Sequence, residues 1–369
     1  MQINNTKPPL ESLACCHPAC DLYGQSGQNN LAIRKIYGHD KIRYLRCRAC
    51  QTEFSERKLT PLWNCKIREA TAISIGEHLG EGCGFKPTAR LTRTNPETVR
   101  RLCRKFGTHS QAFHDQNVID VVVDSLQADE RHSYVSNKKN RVWEAEIIDP
   151  ESKFVLSHVQ GARNHDLIRR LLTDGAGRLL NRHGIVLFTD GFASYGSLFP
   201  EIFGEPYAKY RHTNRGRPGK PIYRIPRQLA HVQIMKKYRK KRVSSVKIVY
   251  KHGTQRRVHE ALDRLQHFTP NTSTIERRNA TARRMNATMV RRTLGFSRHE
   301  LSKRALGLWT MTIYNWCREH RMLKQPLKTA LDKPKWILRT PAMALGLANR
   351  ILTIREILLT PLYEGGGMG

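Results

Sequence analysis

The chain has 369 residues, which is long enough for two or three domains. Because 39% of the residues are hydrophobic, at least one domain can have a sizeable core, and this excludes a disordered basic tail. Its 64 Lys and Arg against 31 Asp and Glu give a formal net charge of +33, which indicates a nucleic-acid partner. The start MQINNTKPPLES has no signal-peptide layout, and no apolar run approaches the roughly 20 residues of a membrane span. We therefore expect a cytoplasmic, nucleoid-associated prokaryotic protein without membrane contact.

The first segment is rich in cysteine. Two cysteine pairs lie roughly 26 residues apart, a spacing typical of two β-hairpin knuckles that share one Zn²⁺ in a reducing compartment. We predict a zinc-ribbon DNA-binding domain at residues 1–60. The predicted ligands are Cys16, Cys20, Cys47 and Cys50. The first pair is one residue wider than the usual knuckle, so Cys15 or His17 is an alternative ligand there.

A helix-turn-helix is predicted at residues 61–116. The segment KPTARLT predicts a short helix, LTRTN a turn, and Asn95 followed by Pro96 the start of a second helix. Apolar residues then recur at helical spacing, which indicates one buried stripe: Val99, Leu102, Cys103 and Phe106. The opposite face is basic, as a DNA-recognition helix requires: Arg100, Arg101, Arg104 and Lys105. An ordinary solvated helix face is the alternative interpretation.

From residue 117 the pattern predicts strands. NVIDVVVDSLQADERHSYV, RVWEAEIID and KFVLSHV predict three antiparallel strands, HDLIRRLLTDGAGRLL a helix, and GIVLFTDG a strand buried on both faces. This order is typical of an α/β, RNase H-like catalytic core with a mixed sheet flanked by helices. We predict that core at residues 117–325. A tail at 326–369 should contain one amphipathic helix that begins at Thr340-Pro341.

Within that core, residues 207–257 contain Lys and Arg but no Asp or Glu. We predict a basic insertion at about 200–270 that binds DNA phosphates. Its candidate DNA-binding residues are Arg215, Arg217, Lys236, Lys237, Arg239, Lys240, Lys241 and Arg242. The segment RGRP would enter an AT-rich minor groove, with a solvated turn as the alternative. Interleaved tyrosines are expected to pack on the core or to stack on unpaired bases: Tyr207, Tyr210, Tyr223, Tyr238 and Tyr250.

Cleavage of a phosphodiester by in-line attack calls for two Mg²⁺ ions held by converging carboxylates. Asp190 ends the strand GIVLFTDG, where ligands of α/β sheets gather, with a helix cap as the alternative role. On the first strand the candidates are Asp124, Asp129 and Glu130, and strand alternation alone does not choose between them.

The helix that begins near Glu276 can supply the third carboxylate. Asn279 and Arg283 share its face and are expected to hold the attacked phosphate. A surface glutamate paired with arginine four residues later is the alternative, but that position is Ala280.

Three segments resemble the catalytic blocks of transposases of the insertion-sequence-one family: ADERHSYVSNKKNRVW, FTDGFASY and STIERRNATARRMNATMVRRTLGFSRHEL. The cysteine region and the helix-turn-helix are similar to that family's DNA-binding half, so the resemblance covers roughly residues 15–320. It implies a metal-binding catalytic triad of Asp129, Asp190 and Glu276, with two Mg²⁺ (or Mn²⁺) as cofactors. It favours Asp129 over Asp124. The second and third acids lie 86 positions apart, more than in compact family members, and Glu260 is the alternative third acid.

The predicted function is that of a DNA transposase. It would bind terminal inverted repeats and target double-stranded DNA, and would catalyse metal-dependent cleavage and strand transfer. Because two ends are processed together, a homodimer or larger assembly on DNA is expected. The alternatives are a non-catalytic DNA-binding protein derived from a transposase and a structure-specific nuclease.

Overall fold

The computed structural model describes residues 7–207, 221–240, 242–291, 295–327 and 335–363. The chain divides into two compact units. The first unit comprises Met1–Asn117, Ala305–Trp309 and Leu352–Gly369, and the second comprises Val118–Arg304 and Thr310–Ile351. The segment predicted as a C-terminal tail is thus divided between them. None of the described helices is both long enough and apolar enough to cross a membrane.

The first unit begins with a three-stranded antiparallel sheet in the order β1-β2-β3, followed by three helices. The strands are β1 (Leu31–Tyr37), β2 (Ile42–Cys47) and β3 (Glu53–Ser55). The helices are α1 (Glu69–Gly80), α2 (Phe85–Leu91) and α3 (Pro96–Asn117). The predicted short helix, turn and second helix therefore all form.

Helix α3 begins where the sequence predicts, since the Asn95 side chain accepts a hydrogen bond from the Glu97 amide at 2.8 Å. The four residues of the predicted stripe are all fully buried. Gly107 on the same face is needed for close approach, because a Cβ atom there would lie 2.3 Å from the Ala305 Cα atom. The Phe106 ring also packs against Trp309, at 5.0 Å between ring centroids.

The second unit is built on a mixed six-stranded sheet in the order β11-β10-β7-β4-β5-β6. Its first four strands are β4 (Ser125–Val135), β5 (Asn137–Ile148), β6 (Val155–Gly161) and β7 (Val186–Thr189). A small hairpin, β8 (Glu205–Tyr207) and β9 (Ile222–Arg224), precedes β10 (Ala230–Arg239) and β11 (Arg242–His252). Strand β7 is parallel to both β4 and β10, and the other pairs are antiparallel.

Helices cover this sheet. They are α4 (His165–Gly177), α5 (Ala193–Phe203), α6 (Gln255–Arg264) and α7 (Ser273–Met285). Along the chain they are followed by α8 (Glu300–Thr312), of which Ala305–Trp309 belongs to the first unit, and by a π turn at Ile313–Cys317. Helix α4 packs against β5 and β6, and α7 packs against β4 and β5. The predicted order of strands and helices is confirmed as a mixed α/β sheet flanked by helices, an architecture compatible with an RNase H-like core.

The prediction of a basic insertion at about 200–270 is wrong for much of its length. Strands β10 and β11 belong to the central sheet, and Ala230–Ile234 is buried against α6. Lys237–Arg239 and Arg242–Lys247 are exposed where the two strands extend past the end of β7. Three of the candidate DNA-binding residues lie outside the described residues: Arg215, Arg217 and Lys241.

The prediction of one long C-terminal helix is also wrong. A short hairpin, β12 (His320–Leu327) and β13 (Lys335–Arg339), is followed by two short helices, α9 (Pro341–Ala344) and α10 (Ile354–Leu359). Gly346 has a φ of +84°, which ends the first helix. Thr353 starts the second through a capping box with Glu356. Local capping therefore divides a continuous amphipathic pattern.

Candidate active site and thiol cluster

The candidate active site lies where the short strand β7 ends between two longer strands. Ala128 of β4 pairs with Thr189 of β7, so the next residues, Asp129 and Asp190, lie side by side. One carboxylate oxygen from each of Asp129, Glu130 and Asp190 lies within 4.8 Å of the others. We call these three residues the acidic cluster. They line a cavity of about 1000 Å³, large enough for part of a polymer substrate.

Alternation along β4 explains why two neighbouring acids both reach the cluster. Gln127, Asp129 and Arg131 face α7, where Asn279 donates a hydrogen bond to Asp129 at 2.8 Å. Glu130 points to the other face, where it accepts a hydrogen bond from the Arg163 guanidinium at 2.9 Å. Strand β7 ends at Thr189, so it does not extend beside Asp129 and Glu130. The carboxylates on the two faces of β4 can therefore line the same cavity. The sequence left Glu130 as a candidate, and the structure places it in the cluster.

One cation bridges the cluster. The Arg163 guanidinium bonds Glu130 and also donates to Asp190 at 3.2 Å. It lies over the Phe192 ring at 4.3 Å and over Trp143 at 5.0 Å, which holds it in place. The other Asp190 oxygen accepts the Phe192 amide at 2.9 Å. Asp190 therefore lies in the acidic cluster and also accepts a hydrogen bond within the turn before α5, but the N-cap of that helix is Phe192, which has no side-chain cap.

The cluster carries more negative charge than Arg163 neutralises. Burial, together with the negative charges of Glu130 and Asp190, raises the pKa of Asp129 to about 7. Burial also raises the pKa of Glu130, although a hydrogen bond with the buried Tyr195 hydroxyl and the positive charge of Arg163 oppose the rise. Oxygen donors with unmet negative charge fit a hard divalent cation such as Mg²⁺.

Glu276 lines the same cavity but does not join the acidic cluster. Its Oε1 atom accepts a hydrogen bond from Thr272 at 2.6 Å and forms an ion pair with Lys236 of β10. Its negative charge contributes to the raised pKa of Asp129, and it lies one helical turn before Asn279, which bonds Asp129. All three residues of the predicted triad thus line one cavity, but only Asp129 and Asp190 belong to the acidic cluster.

The two alternative acids lie elsewhere in the second unit. Asp124 precedes the other end of β4 and accepts hydrogen bonds from Arg257 at 2.8 Å and Arg264 at 2.7 Å. Glu260 is on the exposed side of α6 and pairs with Arg256 at 3.1 Å. Both have local arginine partners away from the cavity, and this separates them from the acidic cluster.

A buried ionic network contacts Asn279, the residue that bonds Asp129. It consists of four cationic or titratable side chains and two glutamates, all buried: Arg131, Arg278, Lys303, His158, Glu144 and Glu146. Arg131 donates to Glu144 at 2.9 Å, to Glu146 at 2.7 Å and to the Asn279 oxygen at 3.2 Å. This last bond turns the Asn279 amino group toward Asp129. Although burial opposes it, the positive charges of Lys303 and Arg131 lower the pKa of Glu144 to about 2.

Three further cationic side chains line the cavity: Lys236, Arg283 and Arg291. Arg283 is half-buried, and its Nη1 atom has no hydrogen-bond partner in the described part of the chain. Burial and the neighbouring positive charge of Arg291 lower the pKa of Arg283. Arginines that repel one another in a cavity fit an anion such as a DNA phosphate. Sequence analysis identified Arg283 here, while Arg163 and Arg291 carried no motif that marked them.

The basic residues predicted on α3 differ in their surroundings. Arg101 is exposed, whereas Arg100 pairs with Glu97 and lies over the Phe85 ring at 5.9 Å. Lys105 donates to the Trp63 carbonyl at 2.8 Å, so its ammonium is engaged within the first unit. Arg104 is half-buried on the same helix.

The thiol cluster of the first unit consists of Cys15, Cys20, Cys47 and Cys50. The Sγ atoms of Cys15 and Cys50 are 3.6 Å apart, and those of Cys20 and Cys47 are 3.9 Å apart. A tetrahedral Zn²⁺ with bonds of about 2.3 Å needs sulfur separations of about 3.8 Å, so the four thiols fit it. Hydrogen bonds from Thr52 lower the pKa of Cys50 to about 6, whereas burial raises the pKa of Cys15 and of Cys20.

The prediction of Cys16 as a ligand is corrected to Cys15. Cys15 is extended and forms an isolated bridge with Tyr23, and neighbouring side chains on extended backbone point in opposite directions. The Cys16 thiol therefore turns away from the cluster, toward Lys58.

Comparison with known proteins identifies no family for this chain. No protein-family model matches it, and it matches no curated protein.

Proposed function

We propose that this protein is a DNA transposase of the insertion-sequence-one kind, which cleaves and rejoins DNA with divalent metal ions. The observation that carries the proposal is the convergence of Asp129, Glu130 and Asp190 in a cavity that Glu276 also lines. The chain carries a net charge of +33, yet it gathers these carboxylates in one cavity. A carboxylate site that holds metal, together with cationic surroundings that hold DNA, accounts for both.

The carboxylates and Asn279 would have different roles in this site. Asp129, Asp190 and Glu276 would hold two Mg²⁺, or Mn²⁺, with Glu130 as a further oxygen donor. Bound metal would supply an activated nucleophile and stabilise the leaving oxygen. Asn279 orients the Asp129 carboxylate through its 2.8 Å hydrogen bond.

Lys236, Arg283 and Arg291 would hold the phosphates on either side of the cleaved bond. They line the same cavity as the acids. Charge-assisted hydrogen bonds from these side chains would position the DNA backbone there. The exposed basic residues of β10 and β11 would extend this surface along the DNA: Lys237, Arg239, Lys240 and Arg242.

We propose that the first unit is the DNA-binding half. The thiol cluster would hold a structural Zn²⁺ as a zinc ribbon, and α2 and α3 would form the helix-turn-helix that binds terminal inverted repeats. Arg101 and Arg104 are its candidate DNA contacts. Lys105 supports the fold through the Trp63 carbonyl. A homodimer or larger assembly on DNA would bring two element ends together, in the nucleoid of a prokaryotic cell.

The test uses DNA from the two flanks of the gene that encodes this chain. Purified full-length protein and Mg²⁺ are incubated with a labelled fragment of each flank and with a plasmid target. Nicking at one position in each flank, and joining of a pre-cut labelled end to the plasmid, are expected. The Asp190→Asn variant should bind the same fragments without cutting them.

The outcomes separate the candidate functions. Cleavage without joining would favour a structure-specific nuclease. Tight binding to the flanks without cleavage by the wild-type chain would favour a non-catalytic DNA-binding protein. If the wild-type chain neither binds nor cuts the flanks, the transposase proposal is wrong.

A further inference from the structure

The outer parts of β10 and β11 form a two-stranded arm beyond the sheet, which we define as residues 236–240 and 242–247. Side chains of β10 are buried as far as Ile234 and exposed from Lys237 onward. Side chains of β11 are exposed from Arg242 to Lys247. The arm is therefore solvated on both faces, and its side chains are available to a partner.

The two faces of the arm differ in chemistry. Lys236 pairs with Val246, and Tyr238 pairs with Val243, so these four side chains share one face. Tyr238 is 64% exposed, and Val243 and Val246 are each 50% exposed, although all three are largely apolar. The other face carries Lys237 and the pair of Arg239 with Arg242. One face is thus an aromatic and aliphatic platform, and the other is cationic.

The platform borders the candidate active site. Lys236 pairs with Glu276 across the cavity, and Tyr238 lies two residues further along the same face, roughly 7 Å away on a strand. Tyr238 itself lines the cavity that contains the acidic cluster. A bulge at Ser244, whose hydroxyl bonds the Lys237 carbonyl at 3.2 Å, shifts the register just before the Tyr238–Val243 pair. Bulges of this kind re-aim a side chain beside a site.

We propose that Tyr238, flanked by Val243 and Val246, is a stacking platform for an unpaired nucleobase of the DNA held in the cavity. The inference rests on the proposed function and adds a substrate class to it, namely DNA with an unstacked base beside the reacting phosphate. An exposed aromatic ring within a basic surface is the arrangement that binds unpaired bases, since every base has a flat face to stack. The cationic face of the arm attracts the backbone without selecting a base.

The experiment measures binding of full-length protein to two short duplexes of the same sequence, without added Mg²⁺. One duplex carries 2-aminopurine in a base pair, and the other carries it unpaired as a single-nucleotide bulge. The variants are Tyr238→Ala and Tyr238→Trp. Phe268→Ala, which removes a fully exposed phenylalanine that follows α6, is the matched control.

Wild-type protein is expected to bind the bulged duplex about tenfold more tightly than the paired one and to quench its fluorescence. Tyr238→Ala should lose both the preference and the quenching but bind the paired duplex as wild type does, while Tyr238→Trp and Phe268→Ala retain both. A wild-type chain with no preference, or a Tyr238→Ala variant that keeps it, overturns the inference. In those cases binding and cleavage of the flanking DNA would still support the proposed function, whereas failure of wild type to bind either duplex counts against that function.

Discussion

The thiol cluster and the acidic cluster are both groups of metal-ligand side chains, but their surroundings differ. Three of the four cysteines are buried and Cys50 is half-buried, so the four thiols lie largely away from solvent. The three acids open into a cavity of about 1000 Å³ lined with cations. Closed four-ligand sites are structural, and sites with an open position are catalytic. The comparison teaches that access, as much as ligand chemistry, separates the two roles.

The clusters also differ in what holds them. The thiols sit on two turns beside a short three-stranded sheet, where the buried core is largely cysteine and leucine. The acids rest on a buried network in which Glu144 and Glu146 already have cationic partners. We therefore expect the first unit to need its metal for folding and the second unit to fold without one.

The largest expected effect is loss of the β1–β3 sheet when zinc is removed. A chelator at neutral pH, or Cys47→Ser, should remove stabilisation on the order of 10 kcal/mol from this region. Hydrogen exchange on the full chain should then show lost protection in β2 and β3 and unchanged protection in β4 and β7. Cys16→Ser is the control and should keep zinc. A wild-type chain that contains no zinc and is insensitive to the chelator contradicts the prediction.

The second prediction concerns the acidic cluster. Asp190→Asn should lower the rate of DNA cleavage roughly a thousandfold, since a bound metal supplies several kcal/mol of transition-state stabilisation. Calorimetry should show weaker Mn²⁺ binding, while hydrogen exchange in the second unit stays as in wild type. Asp166→Asn, at an exposed acid of α4, should change neither quantity. Cleavage at the wild-type rate by the Asp190 variant would remove this residue from the site.

A third prediction concerns the network beneath the acids. Glu146→Gln should lower the free energy of unfolding by about 3 kcal/mol, because Arg278 would stay buried without its carboxylate partner and Arg131 would keep only Glu144. Urea denaturation followed by a probe of the second unit measures it, and chelation should not alter the result. Glu260→Gln, an exposed acid, is expected to change stability by less than about 0.5 kcal/mol. Equal stability of both variants would show that the network does not support the unit.

The smallest effect tests whether low pH weakens the first unit for a reason other than metal loss. Burial lowers the pKa of His109 to about 4, while its ring bonds the Ile357 carbonyl at 2.8 Å. Since the unfolded chain binds a proton near pH 6.5, stability is full above that value and falls as pH drops toward 4. The expected loss is about 2 kcal/mol between pH 8 and pH 5.

Thermal unfolding of the full chain with zinc held in excess measures this dependence. His109→Gln, which cannot take up the proton, should flatten the curve in that range. A curve with the same slope in the variant would assign the acid sensitivity to another group.

The sequence by itself determined the features that depend on local pattern. The stripe on α3, the strand order from β4 to β7 and the place of Asp190 after a buried strand follow from spacing and side-chain type. A side chain's burial within one helix or strand is set by its neighbours a few positions away, so periodicity predicts it.

Tertiary structure alone decided which distant residues meet. The parallel pairing of β10 with β7 places part of the basic stretch in the central sheet. The sequence did not predict this pairing, because nothing local in a strand specifies its partner. The same pairing brings Lys236 to Glu276 and Tyr238 to the cavity. The choice of Cys15 over Cys16 depends on which way one extended residue faces, and Glu130 enters the acidic cluster only because β7 ends beside it. Spacing supplied the candidates, and long-range packing, which no local pattern encodes, selected among them.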